Sequence, residues 1–181
     1  MKRVTNFTDK TGSRPILSCV NFNSDGSIIA TNSHILIKLS DYHTNKNSFC
    51  FNPQTLEQYD QNYPNINNLI SNDSLDNFKI SYNEYSQILH FIKSTPKKEI
   101  VKLSVEKNIL SLTNSLTSFN IDLPSISNKI EIHLDVKLFK IVMEAIVDLT
   151  SEINVNFNGS NKALIFNNEN LTILLQPMRI S

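Results

Sequence analysis

The chain has 181 residues, 40% of them hydrophobic, enough for one or two domains with a real core. Seventeen basic side chains balance seventeen acidic ones, so no global electrostatic footprint for nucleic acid or membrane exists, and any such footprint must be local. The three glycines, Gly12, Gly26 and Gly159, are far apart, which excludes phosphate-cradling loops and dinucleotide fingerprints, and no nucleotide cofactor is expected.

In chain order, residues 4–10 suit a short helical turn, and Pro15 to Phe22 reads as a strand through Ile16, Leu17, Val20 and Phe22. Ser24-Asp25-Gly26-Ser27 is a turn cluster leading to a second strand, Ile28 to Thr31. After Asn32-Ser33-His34, the β-branched run Ile35 to Leu39 forms a third strand, and Phe49-Cys50-Phe51 a short fourth. Asn52-Pro53 has the form of an N-cap followed by proline at the first helical position, predicting a brief helix ending near Tyr59. Residues 60–77 turn to Asn, Asp and Ser and read as a linker with a domain boundary in it.

Beyond the linker the pattern is regular. A strand from Phe78 to Ser81 precedes a helix whose Tyr85, Ile88, Leu89 and Ile92 share one face, and Thr95-Pro96 stops it. Strands Ile100 to Val105, Ile109 to Thr113 and Thr117 to Leu123 follow, then a connector over 124–128. The order then repeats: strand Ile130 to Leu134, helix Asp135 to Leu149, and strands Glu152 to Phe157, Ala163 to Asn167 and Leu171 to Gln176. The second helix presents Leu138, Val142, Ala145, Ile146 and Leu149 as its apolar face. Residues 78–176 are thus two β-α-β-β-β units, each too small to bury its own sheet and helix, so the pair is expected to form one α+β domain with helices on one face of antiparallel sheets.

Catalytic and metal chemistry finds little support in these residues. Ser33 and His34 are adjacent, so a strand would send them to opposite faces, and no nearby acid orients the histidine. Carboxylates fall mostly in turns and on exposed helix faces, where solvation explains them. Cys19 and Cys50 are too few and too distant in sequence for a disulfide framework or a zinc knuckle and are read as buried thiols. The first residues carry charges with no apolar run behind them, and nowhere do eighteen apolar residues occur together, so a cytoplasmic chain with no signal peptide and no membrane partner is expected. Lys137 and Lys140 lie three apart on one helix and Lys93 ends the other, but Glu84, Glu144 and Asp148 dilute their field.

Arg14-Pro15-Ile16-Leu17, Ala30-Thr31-Asn32-Ser33-His34, Tyr63-Pro64-Asn65-Ile66-Asn67-Asn68-Leu69-Ile70 and Gln176-Pro177-Met178-Arg179-Ile180 stand in the order seen in the bacterial DNA polymerase III beta subunit, the sliding clamp, and the chain resembles that family's C-terminal portion. Residues 63–181 resemble its third domain and residues 1–62 a shortened second domain, with no counterpart of the first. The doubled unit is similar to the clamp's domain plan. The resemblance implies no reaction and no cofactor. It implies a groove that binds short linear peptides of polymerases and clamp-loader subunits, formed here by Leu17, Thr31, Ser33, His34 and Leu36, by Pro64 and Leu69, and by Leu174, Gln176, Pro177, Met178 and Arg179. It further implies duplex DNA encircled by a ring, which several copies of so short a chain would have to close, with Lys93, Lys137 and Lys140 facing the DNA. Two positions depart from the family: Ile35 stands where an arginine commonly follows the histidine, and Gln176 where an apolar residue commonly precedes the proline. A non-ring decoy or adaptor that competes with a host clamp for the same peptides, of phage or mobile-element origin, is the alternative.

Overall fold

The computed structural model describes residues 1–59, 62–70, 74–123 and 129–179. The connector at 124–128 lies outside the described residues, as do parts of the 60–77 linker. Among the described residues, thirteen strands form two antiparallel sheets around two helices.

Five strands come from the first segment: β1 (Val20–Phe22), β2 (Ile28–Thr31), β3 (Ile35–Leu39), β4 (Phe49–Asn52) and β5 (Glu57–Tyr59). The first repeat supplies β6 (Asp76–Ser81), helix α1 (Tyr82–Ser94), β7 (Ile100–Glu106), β8 (Ile109–Thr113) and β9 (Ser118–Asp122). The second supplies β10 (Ile130–Asp135), helix α2 (Val136–Leu149), β11 (Glu152–Phe157), β12 (Leu164–Asn167) and β13 (Leu171–Leu175). Both helices begin at side-chain caps. Ser81 and Glu84 form a capping box on α1, and the Asp135 side chain accepts from the N–H groups of Lys137 (2.7 Å) and Leu138 (3.1 Å) on α2.

The two repeats are interlocked. One sheet runs β10-β7-β8-β9 and the other ends β13-β12-β11-β6, so the first strand of each repeat leaves its own unit and pairs with the other's second strand. Neither unit has a complete sheet without its twin, and this is how two fragments of about fifty residues come to share one core. The larger sheet continues without a break into the first segment, in the order β5-β4-β1-β2-β3-β13-β12-β11-β6, through the pairing of β3 with β13 from Ile35↔Leu175 to Leu39↔Leu171.

The main core lies between the sheets and the helices. Tyr85, Ile88, Leu89, Phe91 and Ile92 enter it from α1, and Val136, Phe139, Val142, Met143, Ala145 and Ile146 from α2. Leu138 packs only partly against it and Leu149 is 41% exposed at the helix end, so the buried face of α2 is rotated toward Phe139 and Met143 from the one the sequence suggests. The N-terminal 3-10 turn Val4–Phe7 drives Val4 and Phe7 into the same core. Arg3, just before it, pairs with Glu144 (3.0 Å) and Asp148 on α2.

Two expected elements take other forms. The strand expected over 15–22 is a 3-10 turn, Pro15–Ser18, followed by the short β1. Proline at the first helical position fixes φ for a helical start, and the Leu17 N–H closes onto Arg14 O (2.9 Å). The helix expected after Asn52 is a hairpin joining β4 to β5. Asn52 does act as a cap, its Oδ1 accepting from Gln54 N–H (2.9 Å) and its carbonyl from Leu56 N–H (2.9 Å). With polar Gln54, Thr55, Glu57 and Gln58 around one exposed leucine, a helix here would have no apolar face to bury, and the chain reverses at Leu56 (φ 62°). The turn at Ser24-Asp25-Gly26-Ser27 is as expected and requires its glycine: φ is 88° and an added Cβ would stand 2.6 Å from His43 O.

Candidate functional site

Strand alternation sends one set of side chains into the core and the other to the outer face of the nine-stranded sheet. On that outer face the pairings Thr31↔Leu36, Leu36↔Leu174 and Leu174↔Ile165 align a row across β2, β3, β13 and β12. Leu36, Leu174 and Ile165 join Ile29 and Ile66 in a second buried cluster, separate from the main core. The chain over 63–70 straps across this row. Tyr63 packs against the cluster, its hydroxyl accepts from Thr31 N–H (3.0 Å), and burial pushes that hydroxyl's pKa up.

Beside the strap lies a groove of about 830 Å3. Its lining includes nine residues that the sequence proposes: Leu17, Thr31, Ser33, His34, Leu36, Pro64, Leu69, Leu174 and Gln176. The β2–β3 turn that carries three of them is locally determined. The Asn32 Oδ1 accepts from His34 N–H (2.9 Å) and Ile35 N–H (3.0 Å), and Thr31 Oγ1 from Ser33 N–H (3.1 Å), which holds Ser33 at φ 79° and leaves His34 exposed. Ile35, at the departure from the family pattern, points inward and is 1% exposed.

The remaining three proposed residues lie elsewhere. Met178 and Arg179 line a second concavity of about 800 Å3 with Glu131, Ile132, His133, Ser160 and Asn161, and Pro177 is buried and lines neither. The backbone explains the separation. Gln176 N–H donates to His34 O (2.8 Å), extending the β3–β13 ladder by one bond, but Pro177 has no N–H to continue it, and Met178 N–H turns to His133 O (2.7 Å) on β10. The tail therefore crosses to the other sheet. Asn161 lines both concavities and marks where they adjoin.

Several lining residues escape sequence reasoning. Arg14 and Ile66 stand within the sequence motifs, where nothing sets them apart from their neighbours, Leu75 lies in the 60–77 linker beyond the motif, and Asn158, Lys162, Ala163 and Ile165 come from elements adjacent only in space. Two of them had a local signal. Ile165 is a large aliphatic side chain at an outward position of β12, between inward Leu164 and Phe166, and Leu75 is a lone leucine in a polar stretch. Leu69 and Leu75 are 58% and 66% exposed, so the lip of the groove is apolar and open to water.

A loop before the Pro15–Ser18 turn positions the near wall. Asp9 N–H donates to Leu17 O (2.8 Å), and the Asp9 carboxylate accepts from Thr11 N–H (2.9 Å) and hydroxyl (2.8 Å), Ser13 hydroxyl (3.2 Å) and Arg14 N–H (3.3 Å). These bonds, those from Thr11 first, hold the carboxyl below its ordinary range. A depressed carboxyl contributes stability that is present above its unfolded value and is lost as pH falls through its lower folded value. Asp9→Asn is therefore expected to flatten the acid side of the stability profile, between the ordinary carboxylate pKa and more acidic pH. Denaturant melts across that window check it, and parallel profiles for both proteins would refute it.

Lys93 lies exposed in the last turn of α1, and Lys137 (exposed) and Lys140 (half-buried) in the first part of α2, which packs against α1. None of the three is ion-paired among the described residues. Of the three acids expected to dilute their field, Glu144 and Asp148 are engaged by Arg3, and Glu84 accepts from the Ser81 N–H and hydroxyl at the start of α1. Among the described residues, no helix is long and apolar enough to cross a membrane.

No protein-family model matches the sequence, and no curated protein sequence matches it. Solved structures do. The DNA polymerase sliding clamp of Bacillus subtilis superimposes at a TM-score of 0.82 with 19% identity, covering 99% of this chain and 61% of that one. The DNA polymerase III subunit beta of Borrelia burgdorferi, in complex with a natural product, gives 0.82 and 16% over 99% and 61%. The Helicobacter pylori beta clamp bound to a DNA ligase peptide gives 0.77 and 15% over 99% and 62%. At these identities the likeness speaks for the backbone, and the chain spans 61–62% of the length of these clamps. This chain therefore has the fold of the bacterial DNA polymerase III beta sliding clamp.

Proposed function

We propose that this chain is a clamp-like, non-enzymatic DNA replication protein whose groove takes up linear peptides of partner proteins, polymerase and clamp-loader subunits among them. One observation carries the reading: the outward row Leu36, Leu174 and Ile165 forms a cluster apart from the main core, and its groove ends in a lip of exposed leucines. A fold does not stabilise itself by leaving Leu69 and Leu75 in water, whereas a partner's leucine or aromatic side chain would cover them. A clamp of the same fold has been solved with a DNA ligase peptide bound. In this proposal the groove lies where residues 1–62, resembling part of a second clamp domain, meet residues 63–181, resembling a third, and the protein works in the cytoplasm.

Met178 and Arg179, in the adjoining concavity, extend the peptide track beyond Gln176 through Asn161. Encirclement of duplex DNA is the further step of the same proposal. Lys93, Lys137 and Lys140 would face the phosphates, and copies of the chain would join through sheet edges such as β9, which has no partner on its outer side among the described residues.

Fluorescence anisotropy with a short labelled peptide bearing leucine and phenylalanine anchors tests the groove. Saturable binding by the folded protein is expected, and its absence would overturn the proposal. In a primed-template replication assay the protein is expected to stimulate processive synthesis. Inhibition relieved by added clamp would instead identify a decoy that captures the same peptides.

A further inference from the structure

Among the described residues, the charged side chains that line the groove, Arg14 and Lys162, are of one sign, and the lining contains no aspartate or glutamate. Both cations are exposed, and neither is ion-paired among the described residues. Arg14 Nη1 donates to the neutral Ser33 Oγ (2.9 Å), which aims the guanidinium across the β2–β3 turn and leaves its other donors open to a partner. Asp9, the carboxylate closest in sequence, is buried and accepts from the Arg14 amide, not from its guanidinium. Lys162 stands on a different element, the turn closed by its own N–H to Gly159 O (3.1 Å) between β11 and β12. The two charges therefore reach one groove from separate parts of the fold, in a protein whose formal net charge is zero.

We infer that the groove selects acidic linear peptides: apolar anchors settle on Leu36, Leu174 and Ile165, and flanking carboxylates pair with Arg14 and Lys162. The inference rests on the peptide-binding reading above and adds its specificity. An arginine that already presents a free edge of its guanidinium suits a carboxylate, and a lysine on a short turn supplies a second, less directional charge. Complementary charge of this kind mainly sets partner choice and association rate, and it weakens with salt. A nucleic acid would also answer to two cations, but the apolar floor and leucine lip favour a peptide.

The test compares two labelled peptides that share leucine and phenylalanine anchors and differ only in carrying flanking glutamates or flanking glutamines. At low salt the glutamate peptide is expected to bind about tenfold more tightly, with the gap closing as salt rises. The charge-reversed pair Arg14→Glu with Lys162→Glu, both at exposed positions, is expected to invert the preference without changing the melting temperature. Equal affinity for the two peptides would overturn the acidic selectivity and leave the peptide-binding reading intact. Binding of neither peptide would overturn both. Displacement of the glutamate peptide by a short single-stranded oligonucleotide that binds equally well after serine replaces Leu69 and Leu75 would overturn the inference in favour of nucleic acid.

Discussion

Replacing Leu69 and Leu75 together by serine is expected to weaken binding of a leucine- and phenylalanine-anchored peptide by about a hundredfold, with the melting temperature unchanged. Both side chains line the groove and lie 58% and 66% exposed, so the free protein gains little from them. A bound peptide would cover what they expose. Burying the remaining apolar area of a leucine is worth roughly 1–1.5 kcal/mol, and two such terms correspond to about a hundredfold in affinity. Anisotropy titrations beside thermal melts make the check. Unchanged affinity would show that the lip is not the contact, and a large fall in melting temperature would show that these leucines hold the strap over 63–70 in place instead. Met178→Ala is the companion measurement: a loss comparable to the leucine pair would place the second concavity on the same peptide track, and no loss would confine binding to the groove.

The largest expected effect on stability belongs to Phe139→Ala, at about 3–5 kcal/mol. Phe139 is 1% exposed on the inner face of α2, in the core shared by both helices and both sheets. The interlocking of the repeats makes the loss global. Because β6 pairs with β11 and β10 with β7, a repeat that opened would strip a strand from the other's sheet. The destabilised variant is expected to unfold in one transition that coincides by far-ultraviolet circular dichroism and by intrinsic fluorescence. Two separated transitions, or a cost below about 1 kcal/mol, would contradict a core shared in this way.

Much of this architecture is legible in the sequence because the signals are short-range. The heptad-like spacing of Tyr85, Ile88, Leu89 and Ile92 specifies a one-faced helix, and Asp135 caps the second helix where its side chain can reach two free N–H groups. The two segments that depart from expectation do so for equally local reasons. Around Pro15 the apolar residues suit a strand, but proline and a closing 3-10 bond decide the backbone. After Asn52 the cap is genuine, yet the one leucine that follows, Leu56, stays exposed and gives a helix no face to bury against pairing with Phe49–Asn52.

The candidate groove divides along the same line. Leu17, Thr31 to Leu36, Pro64, Leu69 and Leu174 follow from motifs, whereas Lys162 and Ile165 enter only because β12 pairs beside β13 and the 158–163 turn comes with it, and Leu75 is held there by its N–H bond to Phe157 O (3.0 Å) at the end of β11. Sequence by itself determined the kind and order of most elements, the doubled β-α-β-β-β unit and the side chains that alternate outward, since these follow from backbone periods of two and 3.6 residues. Only the tertiary structure decided that the repeats exchange their first strands, that the first segment continues the second repeat's sheet, and that the tail beyond Pro177 leaves Leu17 and Leu36 for His133. Strand partners are chosen by long-range register and shared burial, which no local period encodes.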